Sequence, residues 1–116
     1  MNINKELIEI LAKETNLEVE PDEYTGASDK YITFSYEDEQ PVLWGDNRVL
    51  ADTAYIQIQL NTPKNFNYLT LKHIIRNALE DNDYIVTSIQ SFLGDYIQGT
   101  EKTRQTVFTV EKSLSR

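Results

Sequence analysis

Residues 54–60, AYIQIQL, decide how the rest of the chain is read. Ile56, Ile58 and Leu60 fall on one side of an extended chain and Tyr55, Gln57 and Gln59 on the other, the period of two that marks a half-buried antiparallel strand. Pro63 stops it, because proline cannot donate to a continuing ladder. Upstream, Tyr31 to Tyr36 repeats the pattern with Ile32, Phe34 and Tyr36 against Tyr31, Thr33 and Ser35. Downstream the period changes. Leu71, Ile74, Ile75, Ala78 and Leu79 recur at helical spacing, with Lys72, Arg76, Asn77 and Glu80 on the wet side. This helix opens near Asn65 or Asn67 and ends at Asp81, with Asn82 expected in the left-handed capping conformation.

Farther out, Ile3, Leu7, Ile8, Ile10 and Leu11 give an amphipathic first helix with Asn4 as its expected N-cap. Asn16 to Lys30 is polar and acidic and reads as a connection. Ile85 to Phe92 and Arg104 to Glu111 read as two late strands, the last presenting Thr106, Phe108 and Val110 on one face. The fold class is therefore α+β in the order α-β-β-α-β-β, with one antiparallel or mixed sheet and two helices packed on one face. A single domain spans residues 1–116, with residues 112–116 expected as a frayed tail.

Two segments remain as long excursions. Glu37 to Asp52 breaks into acid, carries Pro41 and brings the only tryptophan, Trp44, to a Gly-Asp-Asn turn; short strands fit at Pro41 to Leu43 and Val49 to Ala51. Leu93 to Thr103 is longer than a tight hairpin loop of about two to five residues. Long exposed loops held by strands are natural contact sites.

Composition narrows the function. The 116 residues include no cysteine, which excludes thiolate catalysis, disulfides and thiolate metal sites. The N-terminal stretch mixes charge through its apolar residues and fits neither a signal peptide nor a membrane span, so synthesis in the cytoplasm is expected. The formal net charge of −8 opposes a phosphate backbone and argues against nucleic-acid binding. No phosphate-cradling glycine motif occurs, and His73, the sole histidine, sits on the wet side of the second helix without a visible catalytic partner. The acids at Glu18, Glu20, Asp22 and Glu23, and at Glu37, Asp38 and Glu39, lack calcium-loop spacing and read as solvated loop charge. No catalytic, cofactor or metal residue is assigned. Tyr24, Tyr31, Tyr55, Tyr68, Tyr84 and Tyr96 are spread through loops and strand faces, where tyrosine serves either sheet covering or protein contact.

Taken together, YITFSY, WGDNRVLADTAYIQIQL, NYLTLKHIIRNALEDNDYIV and RQTVFTV resemble the tail-terminator proteins of long-tailed bacteriophages and prophages, also called tail-completion or head-to-tail joining proteins. The resemblance runs from Tyr31 to Val110 and rests on the order and spacing of the pieces; where those proteins often carry Gly-Phe after the second helix, this chain has Asn82, Asp83 and Tyr84. It implies a virion structural protein, not an enzyme, that forms a ring, by that resemblance hexameric, on the head-proximal end of the tail tube. Its partners would be copies of itself, the tail-tube protein and the head connector, with no cofactor, no membrane and no specific nucleic acid. The contact residues expected on this reading are Trp44, Asp46 and Arg48, then Asp95 and Tyr96, with Trp44 exposed in the free subunit. A different class, an acidic binding or inhibitor module for a basic protein, fits the charge equally well.

Overall fold

The computed structural model describes residues 3–26, 28–45, 48–63, 66–97 and 101–115; side chains are described for these except 3–4, 36–52, 94–102 and 114–115. The chain runs α1 (Ile3–Thr15), β1 (Glu18–Pro21), β2 (Tyr31–Gly45), β3 (Arg48–Pro63), α2 (Leu69–Asp81), β4 (Tyr84–Ile97) and β5 (Glu101–Ser115). It is an α+β fold with one mixed five-stranded sheet in the order β1-β2-β3-β5-β4. β1 lies parallel to β2 and every other pairing is antiparallel.

Register explains the core. Rows of paired residues cross the sheet: Val19, Ile32, Leu60 and Thr106; Phe34, Ile58, Phe108 and Ile89; Ile56, Val110 and Val86; Ala54, Lys112 and Tyr84. Most of these side chains are buried, and they form one cluster with Leu7 and Leu11 of α1 and Ile75 and Leu79 of α2. Both helices therefore cover the same face of the sheet. Residues of opposite parity occupy the other face, which is why Gln57 and Gln59 stay half-exposed while Ile56 and Ile58 are fully buried.

Several boundaries depart from the sequence reading. Glu18–Pro21 is a strand inside the stretch read as a connection, so the order is α-β-β-β-α-β-β. Four residues with a single buried side chain, Val19, are too short for a period of two to be visible. Asn4 is inside α1 rather than capping it. The helix α2 opens at Leu69, where Tyr68 caps without a side-chain hydrogen bond and the Asn67 side chain accepts from the Leu69 N–H at 3.2 Å. The left-handed residue after α2 is Asp83 (φ 67°), not Asn82 (φ −112°). Asn82 instead donates its side-chain amide to the Ala78 carbonyl at 2.8 Å, a use that the right-handed side of the backbone map permits. β5 runs on through Ser115 with Lys112 buried, so residues 112–115 belong to the sheet and are not a frayed tail.

The largest departure concerns the two excursions. β2 and β3 form one long hairpin, pairing down to Leu43 with Ala51, Trp44 with Val49 and Gly45 with Arg48. Pro41 is accommodated opposite Asp52 within a stretch whose register shifts three times. Bulges of this kind absorb a residue that a regular ladder would reject. β4 and β5 likewise pair out to Tyr96 with Lys102 and Ile97 with Glu101. The expected short strands at Pro41–Leu43 and Val49–Ala51 are thus parts of continuous ones. The two hairpin arms help make the molecule 58 Å long against 24 and 23 Å across.

Candidate assembly surface

Of the sequence-derived contact residues, Trp44 and Arg48 fall at the opposite end of the sheet from Asp95 and Tyr96. Trp44 and Arg48 belong to the end of the β2–β3 hairpin, where Trp44 pairs with Val49. Tyr96 pairs with Lys102 near the end of the β4–β5 hairpin. Because Ala51 pairs with Ser115 and Pro63 with Thr103, the β4–β5 end projects beyond Pro63 while the β2–β3 end projects beyond Ala51. From Val49 to Pro63 the strand takes 14 steps of about 3.3 Å, which separates the two ends by ~46 Å. The structure does not bring them together. The side chains of Trp44, Arg48, Asp95 and Tyr96, and all of Asp46, lie outside the described residues, and so does the expected exposure of Trp44.

Between the ends lies the sheet face opposite the helices. Its rows read Glu18, Tyr31, Asn61, Gln105 and Phe92; Glu20, Thr33, Gln59, Val107 and Gln90; Ser35, Gln57, Thr109 and Ser88; Tyr55, Glu111 and Ile85. Amides organise its centre. Gln105 donates to Asn61 at 3.2 Å and to Gln59 at 3.3 Å, and Gln59 donates to Gln57 at 3.3 Å. These contacts link the long amide side chains to one another and to Asn61, and on this helix-free face Thr33 and Asn61 are buried. The result is a broad, largely uncharged polar surface.

At its β1 margin the segment from Asp22 to Gly26, with Ser28 to Lys30, packs against this same face. Tyr24 stacks on Tyr31 with ring centroids 3.9 Å apart and planes within 7°. The Tyr24 hydroxyl donates to the Glu18 carboxylate and accepts from the Ser28 N–H at 2.8 Å. Glu20 accepts from the Thr25 N–H at 3.0 Å and from its hydroxyl at 3.2 Å. Loss of water around the hydroxyl, then the bond to Glu18, raises the Tyr24 phenol above its ordinary value of 10.0. Gly26 leaves room for this pair: a Cβ there would push on the Tyr24 hydroxyl and the Glu18 carboxylate, so one of these side chains would have to shift. Two of the acids read from sequence as solvated loop charge therefore act as acceptors that fasten the loop. Among the described residues no group of three or more acids, histidines or cysteines is gathered so as to hold a metal ion.

The opposite margin is β4, which pairs only with β5. Tyr84 to Leu93, YIVTSIQSFL, contains no charged residue. Among the described residues, the exposed large hydrophobics are Ile85 (60%), Phe92 (47%), Leu93 (42%) and Leu69 (48%), so three of the four lie on this one edge strand. Periodicity identified the strand but not its margin position. The signal available in the sequence was the ten-residue absence of charge, unusual for an edge, which is ordinarily protected by lysine or proline.

His73 is exposed on α2, as its position in the helical pattern implied. No protein-family model matches the chain, and no curated protein matches it.

Proposed function

We propose that this chain is a structural assembly subunit of a phage or prophage tail: a terminator that forms a ring, six-membered, at the head-proximal end of the tail tube. It ends tube growth and offers its other side to the head connector. It is made in the host cytoplasm and resides in the virion, and no bond is made or broken in this role.

The observation that carries the reading is the pair of hairpin arms at opposite ends of a 58 Å subunit. A protein that joins two different structures needs separated contact elements on a rigid body. Here each arm is continuous with sheet strands that form the core. A ring further requires that each subunit present two different surfaces to its neighbours, and the two margins of this sheet differ: one carries the Tyr24 loop on its face, the other carries exposed Ile85, Phe92 and Leu93. The net charge of −8 suits a passage through which DNA travels without being held.

The test is tube assembly. The purified chain, added to the tail-tube protein of the same phage or prophage, is expected to shorten the tubes and to appear as a cap in electron micrographs. Trp44→Ala should leave the domain folded while weakening capping. Tubes of unchanged length and frequency would refute the terminator role, and a monomer that captures a single basic protein would favour the acidic inhibitor reading.

A further inference from the structure

We infer that β4 is a self-association edge: in the absence of other components, two copies of this chain pair β4 to β4, antiparallel across a two-fold axis, to make one continuous ten-stranded sheet. This goes beyond the ring reading and does not depend on it, because a closing ring uses two different surfaces per subunit whereas this contact uses the same one twice.

Three features support the second copy as the occupant. A sheet edge offers a row of backbone donors and acceptors that any extended strand can satisfy, and natural edges are normally blunted against this. The β2 edge is blunted: beyond the four residues covered by β1 it carries Glu37, Asp38, Glu39 and Pro41 and shifts register between Tyr36 and Asp38, Pro41 and Leu43, and Leu43 and Trp44. β4 is not. Its one irregularity in this region lies between Val86 and Ser88, leaving Ser88 to Leu93 regularly paired to β5. The charge pattern then selects the partner strand. A β4 edge set against the β2 edge of another copy would desolvate carboxylates, whereas β4 against β4 brings together two uncharged segments in a protein that is otherwise strongly acidic. Pairing through Ser88–Leu93 also covers Phe92 on the amide-rich face and Leu93 on the helix-bearing face, removing both from water.

A six-residue strand pair with its flanking side chains buries less than the roughly 1,200 Å² typical of stable complexes, so the association is weak and concentration-dependent. Sedimentation velocity and light scattering on the purified full chain, with no tube protein present, should show a monomer passing to a dimer as concentration rises through the micromolar range. Phe92→Glu and Gln90→Glu each place like charges near the axis at an exposed position and should hold the chain monomeric, at least tenfold weaker in association, with an unchanged circular dichroism spectrum and melting temperature. Hydrogen exchange should show the outward amides of Ser88 to Leu93 gaining protection with concentration, and those of β2 not. A chain monomeric at several hundred micromolar would overturn the inference. So would a dimer, or a larger oligomer, that both substitutions leave intact. Failure of tube capping with β4 pairing intact would refute the terminator role alone.

Discussion

Replacing Lys112 by methionine isolates the polar staple that ties the two helices to the end of the sheet. Lys112 is 7% exposed, and its ammonium donates to the Asn82 carbonyl at 2.8 Å, lies 4.5 Å from the Tyr84 ring centroid and 3.9 Å from a Glu6 carboxylate oxygen. Tyr84 completes the link by donating its hydroxyl to the same Glu6 oxygen at 3.1 Å. One side chain of β5 thus joins α1, the turn after α2 and β4. A charged hydrogen bond contributes about 1.5–3 kcal/mol, and a partly desolvated cation over an aromatic face adds about 1 kcal/mol. The Glu6 pair, at the limit of contact and partly wet, adds less than ~1 kcal/mol. Against these stands the cost of burying the ammonium, which methionine removes. Balancing them, Lys112→Met should lower stability by about 2 kcal/mol. For 116 residues at ~2.1 cal/mol/K each, that is a fall in melting temperature of about 8 °C. Urea denaturation followed by circular dichroism gives the free energy directly, with Glu6→Gln as the control expected to cost under ~1 kcal/mol. If the methionine variant is as stable as the parent, desolvation outweighs the contacts and the staple reasoning is wrong.

Phe108→Ala, at a fully buried position beneath both helices, should cost about 3–5 kcal/mol in the same denaturation experiment. Asp83→Gly should stabilise by about 0.5 kcal/mol, since glycine adopts φ 67° without steric penalty, whereas Asn82→Gly should destabilise because it removes the amide bond to Ala78. Gly26→Ala should displace Tyr24 from Tyr31 at a cost of about 1 kcal/mol, visible as a downfield shift of the Tyr31 ring protons as the shielding by the stacked ring is lost. The Tyr24 phenol is raised in the folded state, so the stability it contributes is complete below pH 10 and is lost as pH rises through the raised value. A carbon-detected NMR titration should find Tyr24 ionising above the ordinary tyrosine range in the parent and closer to it in Gly26→Ala.

The core was legible because its signal is local. Ile56, Ile58 and Leu60 alternate, Leu71 to Leu79 repeat at helical spacing, and Thr106, Phe108 and Val110 alternate again; all of the strand residues in these runs are buried, as are Ile75, Ala78 and Leu79 of α2. A side chain's face is set by its own backbone period, so no partner need be known. The arms were not legible for the complementary reason. Glu37 to Asp52 contains acid, proline and a turn signal, each locally unfavourable to a strand, yet pairing with the opposite strand carries it through, with bulges taking up the misfit. Strand propensity is mostly the packing and pairing a neighbour supplies, and that information lies elsewhere in the chain.

The sequence by itself determined the α+β class, the residues that face the core and the acidic balance, because these depend on composition and on periods within single segments. Only the tertiary structure decided that Trp44 and Arg48 lie at the opposite end from Asp95 and Tyr96, that Glu18 and Glu20 fasten a loop, and that the uncharged strand Tyr84 to Leu93 stands at a bare margin. Strand order and register arise from pairings between residues as distant as Ala51 and Ser115, and no local pattern encodes which strand is left at the edge.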